Sequence, residues 1–164
     1  MKQLTMTALA VAFATLVTTP VQAARCIIPP ASEALQAEAL ANVNAERARA
    51  GLGALKFSKV LDKAAQGAAC DNAWRHEISH VSSDGAHLRD RLHRVGYHFR
   101  AAAENTGRGF RSGASAVNWW MHSPKHKANI LMRGVREVGL GIALSEAPDN
   151  KLHWILVVGE SKGR

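Results

Sequence analysis

Two histidines, His122 and His126, lie four residues apart in the stretch WWMHSPKHKANIL, with Pro124 between them. On an uninterrupted helix, positions i and i+4 share a face, and a histidine pair there could bind a metal ion. Proline breaks a helix interior but suits the first helical position, and serine is favourable just before it. The sequence therefore predicts that one helix ends near Met121 and another begins at Pro124. The two histidines then lie on different elements, and we assign His122 no role.

His126 falls in the first turn of the second of these helices, between Lys125 and Lys127. The positive end of the helix dipole and the two lysines all oppose protonation, so a neutral imidazole is expected near pH 7. Such an imidazole can bind a metal, accept a proton or hold a hydrogen-bonded partner. From position alone, a functional role and a purely structural one are equally well supported.

The elements that must position these residues follow from apolar spacing and turn residues. Helices are predicted over about residues 32–51, 58–74, 86–95 and 114–122, and strands over 97–102, 135–144 and 152–158. Gly139 and Gly141 would face the same side of a sheet and let a helix approach closely. Helices early and strands late indicate an α+β layered domain.

The chain opens MKQLTMTALAVAFATLVTTPVQAA, with a basic start, an apolar run, a break at Pro20 and small residues at Val21 and Ala23. These are the features of a secretory signal peptide over residues 1–23, cleaved near Ala23. The apolar run is short for a membrane span and rich in Thr and Ala, so an uncleaved anchor is the less favoured alternative. Arg25 stands where lipoprotein processing needs a small residue before Cys26. The sequence therefore predicts a secreted or periplasmic protein without a lipid anchor.

Cys26 and Cys70 are the only cysteines. An oxidising compartment favours their joining as a disulfide, whereas two free buried thiols would be the alternative in the cytosol. Closing a loop of this length contributes about 4 kcal/mol through lost entropy of the unfolded chain. We therefore predict a structural disulfide.

The formal net charge is +8, and removal of Lys2 with the signal peptide leaves about +7. A cationic exported protein would meet anionic surfaces such as phospholipid, lipopolysaccharide or acidic glycans, so an envelope or membrane surface is an expected partner. Nucleic acid is not, because only 5% of residues are aromatic and no basic-aromatic alternation is present. Nothing in the sequence indicates an oligomeric state.

The segment WMHSPKHKANIL, followed by EVGLGIA, resembles the W-M-x-S-P-x-H-R-x-N-I-L … E-I-G-V-G signature of bacterial CAP-superfamily proteins. That group includes cysteine-rich secretory proteins, venom antigens and plant pathogenesis-related proteins. Earlier segments agree in order and spacing: NAER with GL in 44–52, SHVSSDG at 79–85, Arg91 with GY at 96–97, and AEN at 103–105. Each motif alone is weak, but the ordered set covers about residues 34–158.

The resemblance implies a three-layer α-β-α sandwich over residues 32–160, with a surface cleft lined by two histidines and acidic residues. By motif, the cleft residues are His80 from a loop, Glu104 from the start of a strand and His126 from the new helix. A further glutamate of animal members corresponds to Ser123 here. His80 and His126 with Glu104 could hold a divalent metal such as zinc, loosely because the fourth acid is missing. No other cofactor is implied.

Each candidate also has a structural alternative. Glu104 could bond backbone amides at a strand edge, and Glu137 could bond the helix start at Pro124. Trp119 and Trp120 are adjacent, so they cannot both face the core. Trp120 is expected in the core, and Trp119 at an edge or in a ligand-binding wall. The remaining histidines are expected on solvated faces without a role: His76, His87, His93, His98 and His153.

Three functions stay open. The first is binding of a small or lipid-like ligand, a divalent metal or an envelope partner in the cleft. The second is an extracellular hydrolase in which His126 or Glu104 acts as a general base on water, with or without a metal. No activated nucleophile is visible, because both cysteines are expected to pair and no Gly-x-Ser-x-Gly motif is present. The third is an interaction module that acts on envelope surfaces through its net positive charge. The sequence favours ligand binding first and an enzyme second.

Overall fold

The computed structural model describes residues 26–163, and the predicted signal peptide and its cleavage near Ala23 lie outside them. The elements in chain order are α1 (Ser32–Arg49), β1 (Lys56–Phe57), α2 (Lys59–Arg75), α3 (Leu88–Arg94), β2 (Phe99–Arg108), α4 (Gly113–Met121), α5 (Pro124–Ile130), β3 (Glu137–Leu144) and β4 (Leu152–Ser161). None of the helices in this part of the chain combines the length and the apolar composition needed to cross a membrane.

The strands form one mixed sheet in the order β1-β3-β4-β2. β4 lies at its centre and pairs antiparallel with β3 on one side and β2 on the other. The short β1 runs parallel to the start of β3. β2, which carries Glu104, is therefore an edge strand.

Helices cover both faces of this sheet, and the alternation of side chains along β4 shows how. Trp154 and Leu156 are in one apolar cluster with residues of α1, α4 and α5. Ile155 and Val157 belong to a second cluster with residues of α2 and α3. Successive side chains of a strand point to opposite faces, so each cluster is one interface between the sheet and a helical layer. The predicted α+β, three-layer α-β-α sandwich is confirmed.

Two glycines of β3 let α2 lie directly on the sheet. A Cβ atom at Gly139 would stand 2.2 Å from the carbonyl carbon of Leu61, and one at Gly141 would stand 2.2 Å from the carbonyl oxygen of Ala65. No side chain fits these spaces, which is why glycine is needed at both positions. The close approach predicted from the sequence is confirmed.

The break at Ser123-Pro124 is also confirmed. α4 ends at Met121, α5 begins at Pro124, and Ser123 is the N-cap residue between them. Proline suits this place because the first helical N–H has no partner within the helix. His122 and His126 therefore lie on different elements.

The strand predicted over residues 97–102 is wrong in its extent. β2 continues to Arg108, and every residue from Ala101 to Arg108 pairs with β4. This pairing holds Asn105 and Gly107 in a strand despite their low strand propensity. As a result, Glu104 lies in the middle of its strand rather than at the start.

The predicted disulfide is present. Cys26 and Cys70 are joined, with their Cα atoms 5.0 Å apart. The bond ties the segment before α1 to α2. Ile27 adds an isolated antiparallel bridge to Leu144 of β3, so this segment is held at two points.

Candidate functional site

The site begins with a buried carboxylate on β2. Glu104 is 6% exposed, and its Oε1 lies 2.9 Å from Nδ1 of His80. Its other oxygen, Oε2, accepts a hydrogen bond from Nη2 of Arg91 at 2.5 Å. Burial of a carboxylate is costly unless it is paired and hydrogen-bonded, and Arg91 meets both requirements. The alternative that Glu104 bonds only backbone amides is wrong.

Arg91 reaches this carboxylate from α3 and also holds the loop that carries His80. Its Nη1 donates to the backbone carbonyls of His80 at 3.0 Å and Ala86 at 3.1 Å. The guanidinium presents its donors in a rigid planar fork, so one side chain can bind the loop and the carboxylate together. His80 is thus positioned from both ends, by its own carbonyl and by its ring nitrogen.

His126 is positioned by two asparagines that join α5 to β2. Nδ2 of Asn105 donates to the carbonyl oxygen of His126 at 3.0 Å. Nδ2 of Asn129 donates to the carbonyl of Glu104 at 3.0 Å and to Oδ1 of Asn105 at 2.9 Å. The short helix is therefore fixed against the strand at the position of Glu104, which brings His126 beside the His80–Glu104 pair.

The imidazole of His126 is held in its neutral form. Burial lowers its pKa, and the positive charge that His80 can carry lowers it further. The direction is the one expected from the sequence, but the causes are these two rather than the helix end and the flanking lysines. Nδ1 of His126 is buried without a hydrogen-bond partner among the described residues.

An aromatic wall stands next to His126. The ring centroids of Trp119 and His126 are 5.2 Å apart, and that of Phe110 is 5.4 Å from Trp119. Trp119 is 46% exposed, whereas Trp120 is fully buried and donates its indole N–H to the carbonyl of Thr106. As expected, Trp120 lies in the core and Trp119 does not, and Trp119 presents an exposed aromatic face beside His126.

The donor set only partly suits a metal ion. The described residues contain no group of three His, Cys, Asp or Glu side chains arranged to hold one. Glu104 is engaged by Arg91 and His80, so it orients His80 in the manner of a carboxylate behind a metal-binding histidine. His80 and His126 could supply two imidazole ligands, and any further ligand would have to come from water or a bound molecule. A tightly held structural zinc does not fit these residues.

The other candidates make no hydrogen bond to His80, Glu104 or His126 among the described residues. His122 is exposed, and its Nδ1 bonds the carbonyl of Asn118 in its own helix at 2.7 Å. Glu137 accepts the hydroxyl of Tyr97 at 2.5 Å, so the expected bond to the helix start at Pro124 is wrong. Ser123 remains a cap residue. The candidate site therefore consists of His80, Glu104 and His126, with Arg91 holding Glu104 and Trp119 beside His126.

Sequence reasoning missed the role of Arg91 and the burial of His153. Arg91 lies on the same helical face as Leu88, Leu92 and Val95, and a cation on an apolar stripe signals a buried partner.

His153 is 1% exposed, so its expected place on a solvated face is wrong. The run HWILVV is apolar on both faces of β4, which is typical of a central strand, and this pattern already favoured burial of His153. Burial lowers its pKa to about 4, with a further contribution from Arg108.

Comparison with known proteins agrees with this architecture. The uncharacterized protein YkwD of Bacillus subtilis is 27% identical over 113 residues, which are 69% of this chain and 44% of YkwD. The chain thus spans less than half of that relative's length.

Two solved structures share the fold. An outer surface protein from Borrelia burgdorferi has a TM-score of 0.74 at 20% identity, covering 84% of this chain and all of that one. An extracellular protein containing a SCP domain from Bacillus anthracis has a TM-score of 0.69 at 22% identity, covering 82% of this chain and 44% of that one.

The family assignment rests on a longer match. Residues 40–158, which run from within α1 to within β4, match the family described as CAP, the cysteine-rich secretory protein family. Both glycines of β3 and all cleft residues lie inside that range. This chain belongs to the CAP, or cysteine-rich secretory protein, family.

Proposed function

We propose that this protein is an exported binding protein whose cleft holds a small ligand between His80 and His126. One observation carries the proposal. Both imidazole rings keep a nitrogen atom without a hydrogen-bond partner in the described chain, and the open face of Trp119 stands beside His126. Ligand sites of this kind combine a few polar groups for orientation with an aromatic surface for contact area.

The charge of the cleft limits the ligand's chemistry. Glu104 is neutralised by Arg91, and His126 is neutral at pH 7, so the floor of the cleft carries little net charge. A neutral imidazole both donates and accepts a hydrogen bond. The expected ligand is therefore a molecule with a hydroxyl, amide or carboxyl group at the histidines and an apolar or lipid-like body against Trp119. A divalent metal would enter only together with ligands that the protein does not supply.

The test removes both rings at once. His80→Ala with His126→Ala should abolish binding of a fluorescent fatty acid and any heat of zinc chloride binding in calorimetry. His122→Ala is the matched control, because that exposed ring bonds only its own helix. If the double variant binds both probes like the unaltered protein, this cleft is not the binding site. If neither probe binds the unaltered protein, a lipid-like ligand and zinc are both ruled out.

A hydrolase is the second candidate, and the His80–Glu104 contact of 2.9 Å favours it. A carboxylate that orients an imidazole is the arrangement used by general bases. Since Glu104 is buried and bound to Arg91, His80 rather than Glu104 would act on a water molecule. Hydrolysis of nitrophenyl esters, peptides or glycans above the level of the double variant would support this candidate. Equal rates for the unaltered protein and the double variant would rule out the hydrolase.

The proposal also includes export from the cytoplasm. The N-terminal sequence has the features of a signal peptide, a disulfide is present, and a relative with the same fold is described as extracellular. Mass spectrometry of the exported protein should find an N-terminus near Ala24. Recovery of the intact Met1 form from the cytoplasm alone would contradict export.

A further inference from the structure

A second cleft lies where β1, the loop before it and the start of β3 meet, and it has a volume of about 690 Å³. We call it the basic cleft, after its charged lining residues: Arg47, Lys56, Arg133, Arg136 and Glu137. Four of these are cations. The one acid, Glu137, accepts a hydrogen bond from the hydroxyl of Tyr97. The lining is therefore predominantly positive.

The deepest of these cations has no counterion. Arg47 is 2% exposed, and its guanidinium donates to backbone carbonyls only: those of Gly53, Ile130, Met132 and Val135. No ion pair of Arg47 with a carboxylate is found in the described part of the chain. A guanidinium keeps its proton even when buried. Its charge in a medium of low dielectric constant attracts anions into the cleft.

The cations at the rim are free as well. Lys56, Arg133 and Arg136 are exposed, and none pairs with a carboxylate among residues 26–163. Cations held around one concave surface raise the local concentration of anions.

The same cleft carries an exposed aromatic ring. Phe57 lines it and is 44% exposed. A small dissolved anion would make no use of this side chain. At a membrane surface, by contrast, aromatic and aliphatic groups enter the boundary of the acyl chains while lysines and arginines contact the headgroups. The combination favours a membrane over a free ion.

We propose that the basic cleft, together with Phe57, binds the phosphate groups of anionic phospholipids at a membrane surface. This site is separate from the cleft between His80 and His126, and it does not depend on ligand binding there.

The experiment measures sedimentation of the purified protein with two kinds of vesicle, phosphatidylcholine alone and phosphatidylcholine with phosphatidylglycerol. Binding should occur only to the vesicles with phosphatidylglycerol and should weaken as sodium chloride is raised. Arg133→Glu with Arg136→Glu should reduce this binding by about tenfold or more. The control, Arg111→Glu with Lys125→Glu, changes the net charge equally at two exposed residues without ion pairs among the described residues. The control substitutions should weaken binding to the phosphatidylglycerol vesicles by less than about threefold. Circular dichroism checks that all variants are folded.

Four results would overturn the proposal. Equal weakening in both double variants would mean that only net charge matters. Calorimetric binding of inorganic phosphate that the Arg133/Arg136 variant loses, without any vesicle binding, would show a site for a free anion. Tighter binding to a DNA fragment than to vesicles would show a nucleic-acid surface. The substitution Phe57→Ser should weaken vesicle binding severalfold. Unchanged vesicle binding would show that Phe57 does not contact the membrane.

Discussion

Arg91 binds the carboxylate of Glu104 across the interface between α3 and β2, and both side chains are less than a tenth exposed. The pair forms the buried part of the candidate site. Through it, the loop carrying His80 is fixed to the strand that lies against His126. The geometry of the candidate site therefore depends on this buried ion pair.

Removal of Arg91 should therefore cost far more than an ordinary surface substitution. Arg91→Met leaves the carboxylate of Glu104 buried with only His80 as a partner, and breaking a buried pair in this way costs about 3–5 kcal/mol. Urea denaturation measures the free energy of unfolding. Adding Glu104→Gln to Arg91→Met should recover part of the loss, because it removes the uncompensated charge.

The matched control for that prediction is Arg94→Met. Arg94 pairs with Asp84, but their side chains are 58% and 51% exposed. Exposed pairs contribute about 1 kcal/mol or less. If Arg91→Met and Arg94→Met lower the free energy of unfolding equally, the buried Arg91–Glu104 pair contributes no more to stability than an exposed pair.

Gly139→Ala should prevent the close contact of α2 with the sheet. The new methyl group would lie 2.2 Å from the backbone of Leu61, so the helix would have to move away from β3. Overpacking of this kind costs about 1–3 kcal/mol, and more where backbone must shift. Thermal unfolding followed by circular dichroism measures the loss.

Gly67→Ala provides the opposite test within α2 itself. A Cβ atom there meets nothing within 4 Å, and alanine is the better helix former. This substitution should stabilise the protein by about 0.5–1 kcal/mol. Lower stability of the Gly67→Ala variant, or unchanged stability of the Gly139→Ala variant, would contradict this packing of α2 on the sheet.

Much of the fold was predictable because local signals and tertiary packing agree. The Ser123-Pro124 break and the paired glycines of β3 each have one physical meaning, and the structure realises both. β2 was harder to predict, because its second half contains Asn105 and Gly107. Only pairing with β4, nearly fifty residues later, holds those residues in a strand.

The site was predictable in its histidines but not in its connections. The motifs named His80, Glu104 and His126, yet the order of residues does not show that Glu104 is bound to Arg91. An arginine on a short helix could equally face solvent. Which partner a buried charge finds depends on where α3 docks on the sheet, and this is a property of the whole fold.

Loss of the disulfide should lower stability without changing the core. Cys26→Ser with Cys70→Ser opens a loop with a sequence separation of 44 residues. By lowering the entropy of the unfolded chain, the bond contributes about 4 kcal/mol to the free energy of unfolding. The urea midpoint should fall accordingly, and dithiothreitol should lower the midpoint of the unaltered protein but not that of the variant. Equal midpoints in the variant and the oxidised protein would show that the bond adds no stability.

Acid should destabilise the protein through His153. Burial lowers its pKa from an unfolded value of 6.5 to about 4, so the unfolded chain binds a proton more readily. The contribution is fully present above pH 6.5 and is lost as the pH falls toward 4. Between pH 7.5 and pH 4.5 this amounts to roughly 2–3 kcal/mol. Asp149, whose pKa is lowered mainly by Arg108 and then by Ser145, stays charged over this range.

The substitution that isolates this effect is His153→Gln, which keeps a polar side chain but cannot titrate. The free energy of unfolding, measured in urea at pH 7.5 and pH 4.5, should fall less steeply for this variant than for the unaltered protein. Part of the fall should remain, because the pKa of His126 is also lowered in the folded state. The exposed His98→Gln serves as the control for loss of one histidine. If the free energy of unfolding falls equally for His153→Gln and the unaltered protein, protonation of His153 does not cause the acid destabilisation.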